Sequence, residues 1–569
     1  MVVDTKVGKL YSNCSAFIFT FNLIVGIGSL TLPNGFREAG LLLSTLFIIF
    51  LALLSYICVT FMVEAQAIVN LVFNEQNFQN EEEQEQEKKE FEITPLLGKE
   101  IYSESDQILD GDNLNLSPKQ EIKEILKSTS SEKEQEKMED NDYLSNSEDD
   151  LKGESDQPED TTLFLDKKSP ILKSENINTE IQEEPKILKM SQTRKLDLKH
   201  ENPPELEITK RVEMSTMSEM LLGKGGRIAF YIVIIVYLYG DLSIYAATIP
   251  VSLSKTIGGF GSISEDNSYY FYLLLFGVVV LPFCFFNFQK SKWLQIFTLT
   301  TRNIAFIIMI ILSIIYIGEN KPSPKGLPIF RLQGLPLLYG VSVYSFMSHH
   351  SIPGIISPVR KKNKIKLILG LDYFSIMLAY LFFCYVAVFA FGNVKEDDCK
   401  HYPSSPCKIQ RLYTLNFESY GVPFIAKYVA LFPVMICSNY PLISITLRNN
   451  LQAVFRIKPT SRFYRYQRVV FTIVGSFPPL LIAFFIRDVS LLVDFTGSYA
   501  GICIMFLFPT LFVLFGRKQI HKKYGKIHFT QQSPFQSKFW LYLIIGWSIF
   551  ALVFNTVIQI LQFCGKKIK

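Results

Sequence analysis

The sequence has few charged residues outside one segment. Residues 75–219 contain 39 of the 53 acidic residues and 19 of the 57 basic ones, so the rest of the chain has 14 acids and 38 bases. Soluble domains carry about a quarter of their residues as charges, and the remaining stretch of about 420 residues falls well below that share. A soluble enzyme is therefore excluded, and we expect a membrane protein with one acidic insert.

Cysteines are also few, and the usual catalytic motifs are absent. Nine Cys without dense, even spacing exclude a small disulfide scaffold. No HExxH, GxSxG or paired Cys-x-x-Cys arrangement occurs, so we expect no enzyme activity, no metal or other cofactor, and no nucleic-acid partner. Cys399 and Cys407 lie in the polar segment DDCKHYPSSPC, outside the membrane. They are the disulfide candidates if the compartment on their side of the membrane is oxidising. Two free thiols are the alternative, because spacing does not establish disulfide geometry.

Apolar runs of about 20 residues, the length that crosses a bilayer as a helix, recur on both sides of the insert. The predicted fold is an all-α polytopic membrane protein with spans one and two in residues 1–72, a disordered acidic insert in 73–208, an amphipathic segment in 209–226 and spans three to eleven in 227–569. The eleven predicted spans are approximately 14–35, 40–64, 228–254, 269–287, 293–317, 335–357, 366–392, 422–447, 467–486, 491–516 and 539–563.

The most basic short loops follow even-numbered spans, at 359–366, 448–468 and 516–529. The positive-inside rule places these loops, the N-terminus and the insert in the cytosol. The first apolar run is as long as a span and no small-residue cleavage pattern follows it, so it is expected to stay as a membrane helix.

The insert is rich in Glu, Gln, Lys, Ser and Asn, a composition that predicts disorder. Within it, EITPLL places Glu92, Leu96 and Leu97 at the acidic-dileucine spacing that sorting adaptors bind. This favours an endosomal or lysosomal membrane over the plasma membrane, although such a motif can arise by chance in a Glu-rich tract. The stretch VEMSTMSEMLL, just before span three, predicts a short amphipathic helix on the cytosolic face.

Two spans contain residues that interrupt a helix. Span one includes NLIVGIGSLTLP and span six includes YSFMSHHSIPG. Breaks five spans apart are typical of inverted repeats, here spans one to five and six to ten, and point to the central site of a transporter. Free N–H groups at a break bind an anion and free carbonyls bind an ammonium, which suits a small molecule that carries both. The alternative is that these Gly and Pro residues serve packing or kinking only.

Ionisable residues within the spans are candidates for ion coupling. Asp241, near the middle of span three, either carries a proton or a cation or is a satisfied interhelical hydrogen-bonding group. His349 and His350 are candidates because imidazole titrates near pH 6.5. Adjacent helical positions point about 100° apart, so at most one of the two is expected to face the site.

Other polar residues of the spans have less specific explanations. Arg302 in span five either extends to the interface or pairs with an acid. Span eight could supply Ser438, Asn439 and Thr446 as oxygen ligands for Na⁺, or their hydroxyls could bond their own backbone. Interfacial solvation is predicted for charged residues close to span ends, namely Glu64, Asp372, Arg448, Arg487, Asp488 and Asp494.

The strings NLIVGIGSLTLP, ITKRVEMSTMSEM, VYLYGDLSIYAA, VYSFMSHHSIPGIISPV and NYPLISITLRNN together resemble the transmembrane protein 104 family, a branch of the amino acid and auxin permease superfamily. The resemblance covers nearly all of the chain apart from the insert. It implies eleven spans, the first ten in the 5+5 inverted-repeat fold of the amino acid, polyamine and organocation transporters, followed by an extra C-terminal helix.

The same resemblance implies two sites. The substrate would bind at the breaks, whose matching residues are Gly26, Ile27, Gly28, Ser29, Ser345, Ser348 and His349. In sodium-coupled relatives an ion lies between spans one and eight, here near Ile24, Ile27 and Ser438. Span eight departs from that pattern because it lacks a clear pair of hydroxyl ligands.

These observations predict a secondary active symporter for a small neutral amino acid that works by alternating access in the lipid bilayer. The coupling ion is H⁺ or Na⁺, and Asp241 with the His pair favours H⁺. The alternative is an amino-acid-binding membrane sensor or scaffold that signals through the acidic insert.

Overall fold

The regular secondary structure of the described residues is helical, apart from one isolated bridge between Tyr11 and Val359. The computed structural model describes residues 10–105, 208–258, 265–285, 292–320, 327–392, 409–417, 423–455, 457, 463–525 and 527–568. The chain divides into two compact units, residues 1–78 with 203–569, and residues 79–202.

The α-helices follow one another as α1 (Asn13–Ile24), α2 (Gly28–Ala39), α3 (Leu41–Ser105), α4 (Met214–Ile257), α5 (Glu265–Val280), α6 (Lys292–Asn320), α7 (Leu335–Phe346), α8 (Ile352–Ile356), α9 (Ile365–Phe391), α10 (Pro423–Ala430), α11 (Phe432–Met435), α12 (Asn439–Val454), α13 (Tyr464–Phe485), α14 (Val489–Thr496), α15 (Phe508–Tyr524) and α16 (Lys538–Ile568). Two short π-helical stretches, Gly497–Gly501 and Cys503–Leu507, connect α14 to α15.

Eight described helices are long and apolar enough to cross a membrane, or nine if the bent pair α1 and α2 forms one span. This confirms an all-α polytopic membrane protein. Predicted spans six and eight do not pass this test, because the first is divided into α7 and α8 and the second into α10, α11 and α12. Each piece is shorter than the roughly 20 residues a span needs, so the total of eleven and the inverted repeat stay predictions.

Both predicted breaks are present. Helix α1 ends at Ile24, Val25 is extended, and α2 begins at Gly28 after a 60° bend. Helix α7 ends at Phe346, and α8 begins at Ile352 with a proline in its first turn. Proline fits a first turn because the N–H it lacks would have no partner there. The breaks thus lie where the sequence predicts them.

Helix α3 extends past the second predicted span to Ser105, so helix replaces the predicted disorder in residues 73–105. The run EEEQEQEKKE explains this extension, because Glu, Gln and Lys are strong helix formers. Residues 106–207 lie outside the described residues. So do Cys399 and Cys407, as well as the side chains of Glu92, Leu96 and Leu97, and the disulfide and the sorting motif therefore stay predictions.

The predicted basic loops gather at one end of the bundle, which we call the basic face. There the N–H of Arg360 donates to the carbonyl of Tyr11 over 3.1 Å. Lys366 Nζ donates to the carbonyl of Gln532 over 2.9 Å. The loops that follow odd-numbered spans lie at the other end of the bundle, which we call the opposite face. There the N–H of Arg331 donates to the carbonyl of Ala39.

The stretch before span three packs against the basic face. Its apolar side chains are buried, as helical spacing of those residues requires, and include Val212, Met214, Met217 and Leu221. Gly223 separates this first part of α4 from the membrane part with φ of 75°, a left-handed conformation that favours glycine. The amphipathic segment and span three are therefore two helical pieces joined by a kink.

Candidate functional site

Asp241 lies where the two broken spans meet α4. The hydroxyl of Tyr344, on α7, donates a hydrogen bond to Asp241 Oδ1. The Tyr344 ring lies against Gly28, where a Cβ would be 2.5 Å from Cδ1 of the ring and 3.1 Å from Ser345 Oγ. Only glycine permits so close an approach. Tyr344 therefore joins the break of the first span to the acid in α4.

Asp241 and His350 line the same cavity. Its volume is about 350 Å³, and it extends to Arg211, Glu213 and Asn450 at the basic face. The two predicted coupling residues are thus exposed to one space. Basic and acidic side chains both line this cavity, which suits a small zwitterion or water.

His349 points in a different direction from His350. Its Nε2 lies 3.2 Å from the carbonyl oxygen of Ser55 on α3, and its ring centroid lies 6.2 Å from that of Tyr373 on α9. The Tyr373 hydroxyl is in turn 3.0 Å from Ser348 Oγ. One histidine of the pair faces the cavity, in line with the 100° separation. Ser348 contacts α9 and His349 contacts α3, and their contact with substrate stays a prediction.

The carbonyls freed by the breaks have a partner that sequence reasoning missed. The Tyr380 hydroxyl on α9 lies 3.1 Å from the carbonyl oxygen of Ile24 and 3.1 Å from that of Ser345. Ser29 Oγ donates to the carbonyl of Gly26 over 2.5 Å. A tyrosine in an apolar span needs a partner for its hydroxyl, and that rule marks Tyr380 only together with Tyr373 and Tyr385 of the same span.

The predicted sodium site adjoins a permanent cation. A cavity of about 90 Å³ between span one and span eight is lined by Ile27, Arg302 and Asn439. Arg302 donates a hydrogen bond to the carbonyl of Asn22 on α1, whereas its Nε has no hydrogen-bond partner within the described residues. Ser438 Oγ has no hydrogen-bond partner within the described residues. A guanidinium stays charged in proteins, so Na⁺ beside it would meet like-charge repulsion.

Interfacial solvation is wrong for four of the six charged residues near span ends. They are buried inside the bundle, with exposures of 0% for Glu64 and Asp372, 4% for Arg448 and 9% for Asp494. Distance from a span end sets the depth of a residue but not the side of the helix on which it lies. Neither carboxylate oxygen of Asp372 has a hydrogen-bond partner within the described part of the chain.

The buried carboxylate of Glu64 is fully paired. Arg517 donates to it from Nε over 2.7 Å and from Nη2 over 2.8 Å, and the N–H of Ser533 donates over 2.9 Å. This bidentate pair ties α3 to α15 and to the loop before α16, close to the basic face. Its role is structural, because no ligand group is needed to satisfy either charge.

A family of membrane transporters matches this chain. The model described as "Transmembrane amino acid transporter protein" covers residues 10–81 and 209–559, more than half of the chain. The chain is 40% identical over 557 residues to the transmembrane protein 104 homolog of Dictyostelium discoideum, which covers 96% of this chain and 97% of that protein. The chain belongs to the transmembrane protein 104 family of amino acid transporter-type membrane proteins.

Animal relatives extend the same match. Transmembrane protein 104 of Gallus gallus is 32% identical, with 97% of each chain covered. That of Homo sapiens is 30% identical, with 98% of each chain covered. The transporter description belongs to the family model, and the part of the chain that this model matches omits residues 82–208, within the acidic insert.

Proposed function

We propose that the protein is a secondary active transporter that moves a small neutral amino acid by alternating access, coupled to protons. The observation that carries this proposal is the junction of Gly28, Tyr344 and Asp241, in which both broken spans meet an acid that lines a cavity. Broken helices form the substrate sites of transporters, and an acid at that depth is typical of proton pathways.

The breaks supply groups for both charges of an amino acid. The carbonyl oxygens of Ile24 and Ser345 each have a second lone pair beside the Tyr380 hydroxyl, so they can accept an ammonium. The N-terminus of α2, at Gly28, favours a carboxylate through the helix dipole. The Tyr344 ring lies against that N-terminus, and substrate entry requires this ring to move aside.

Proton coupling is favoured over sodium coupling by Arg302. Its guanidinium already supplies a positive charge beside Ile27 and Asn439, in the place where Na⁺ was predicted. Asp241 and His350, by contrast, share a cavity in which a proton can be taken up.

Charge and the sorting motif support a proposed location. The basic face is assigned to the cytosol by the positive-inside rule. The acidic dileucine of Glu92, Leu96 and Leu97 supports delivery to endosomes or lysosomes by a sorting adaptor. In such a compartment the proton gradient can drive an amino acid from the acidic lumen into the cytosol.

The test is uptake of pooled labelled amino acids into proteoliposomes, under an imposed pH gradient and then an imposed sodium gradient. The wild type should accumulate label with the pH gradient only, and Asp241→Asn should abolish this. Glu219→Gln is the matched control, because Glu219 lies on the same helix and pairs with Arg227 over 3.0 Å. This control should transport like the wild type.

Accumulation driven by sodium alone would contradict proton coupling. If neither gradient drives uptake, yet the amino acid pool raises the melting temperature of the purified protein, a sensor becomes the better reading. Deletion of residues 106–200 then distinguishes the two, because a transporter without this stretch should still move substrate, whereas a sensor should lose its partner.

A further inference from the structure

We infer that Asp494 is a second proton-carrying residue, which takes up a proton from the opposite face and passes it to Asp241. This inference rests on the proposed function and adds the entry point of the proton. Asp494 lies on α14, buried within the bundle, and its Oδ1 accepts a hydrogen bond from Ser498 Oγ over 3.0 Å.

One side of α7 contacts both acids. Gly340 packs so closely on Asp494 that a Cβ at this position would overlap Asp494 Oδ1. Tyr344, one helical turn further along α7, donates to Asp241. Residues four apart lie on the same side of a helix and are separated by about 6 Å along its axis. Both acids therefore contact α7, at positions one helical turn apart.

A second contact brings the same two helices together. Gly240, next to Asp241, packs on Thr496, whose Cγ2 would be 2.8 Å from a Cβ at this position. Thr496 lies two residues after Asp494, and its own hydroxyl donates to Leu492 within its helix. Helices α4 and α14 thus pack in direct contact next to both acids.

Each acid lines a different cavity. Asp494 borders a cavity of about 770 Å³ at the opposite face, whereas Asp241 borders the one that extends to the basic face. The other charged groups of the larger cavity are Glu38, Lys255, Arg411, Arg487 and Asp488. The titratable or charged groups around Asp241 are Tyr237, Tyr245, Tyr344, His350, Arg211 and Glu213.

This arrangement gives water access to one acid from each side, with α7 in contact with both acids. In the transfer, Asp494 loses its proton and Asp241 gains it, either through the Tyr344 hydroxyl, which donates one proton and accepts another, or through water. The total charge of the pair does not change in this step. Movement of α7 during alternating access would make or break the path, because α7 contacts both ends.

The test compares two transport modes of Asp494→Asn in proteoliposomes. The first mode is accumulation of pooled labelled amino acids under a pH gradient, and the second is exchange of label into vesicles preloaded with the same unlabelled pool at equal pH. We expect accumulation to fall by about tenfold or more, because a missing proton carrier typically costs that much or more. Exchange, which needs no net proton movement, should be unchanged.

Two further variants complete the test, one as a control and one that restores the carboxyl. Glu38→Gln removes an acid from the same cavity, where Glu38 pairs with Arg37 over 2.9 Å, and it should keep both modes. Asp494→Glu keeps the carboxyl and should recover part of the driven accumulation.

Normal accumulation by Asp494→Asn would overturn the inference, and so would equal loss of both modes, which would indicate a structural role. If the wild type itself shows neither accumulation nor exchange, the proposed function fails and this inference fails with it.

Discussion

Tyr344 on α7 donates a hydrogen bond to Asp241 on α4. The phenol can reach the acid because its ring rests on Gly28, at the first residue of α2. A single side chain therefore links the second half of the first span, the first half of the sixth and the acid of the third. Any change that displaces this ring should disturb both the packing and the proposed site.

Gly28→Ala should destabilise the protein far more than Gly26→Ala. A Cβ on Gly28 would lie 2.5 Å from the Tyr344 ring, whereas the nearest atom to a Cβ on Gly26 is 3.9 Å away. Overpacking of this kind lowers the free energy of unfolding by about 1–3 kcal/mol. Thermal unfolding of both variants in detergent measures the difference, and equal melting temperatures would contradict the described contact.

Glu64→Gln should be strongly destabilising. It leaves the buried end of Arg517 without its carboxylate, and breaking a buried ion pair costs about 3–5 kcal/mol. Glu75→Gln is the control, because its partner Lys523 is largely exposed and surface pairs contribute only about 0–1 kcal/mol. Melting temperatures that fall equally in the two variants would show that Glu64 is solvated rather than buried.

Asn70→Ala should loosen the segment before span three. Asn70 Oδ1 accepts from the backbone N–H groups of Thr209 and Lys210, over 3.2 and 2.7 Å, and Asn70 Nδ2 donates to the Lys210 carbonyl. Each buried group left without a partner costs about 1–3 kcal/mol. Amide hydrogen exchange of residues 209–222 should therefore become faster.

Asn450→Ala is the control for this change, because Asn450 Nδ2 donates to the carbonyl of Thr446 within its own helix over 2.8 Å. Exchange in residues 209–222 should match the wild type in this variant. If both asparagine variants accelerate exchange to the same degree, Asn70 does not hold the segment.

The sequence predicts the breaks because their cause is local. Gly26 and Gly28 lie at the break in span one, and Pro353 lies in the first turn after the break in span six. The helical class follows in the same way from apolar runs of span length. The division of the eighth span at Leu431 was missed, although Pro433 marks it.

The partners of buried polar groups could not be predicted, because they depend on how helices rotate against one another. The sequence shows how deep a residue lies along a span, and that depth alone predicts Glu64 and Asp494 at the interface. Which side of a helix faces the bundle is set by its neighbours. For the same reason, the sequence predicts that at most one of His349 and His350 faces the site but does not say which one. It does not identify Tyr380 either.

Proton movement that accompanies substrate tests the central claim most directly. Proteoliposomes that contain a pH-sensitive dye and carry wild type or Asp241→Asn are given the amino acid pool outside, with equal pH on both sides. The account predicts that the interior acidifies when the wild type takes up the pool and does not change with Asp241→Asn. Uptake of label by the wild type without acidification, or equal acidification by the two proteins, would contradict it.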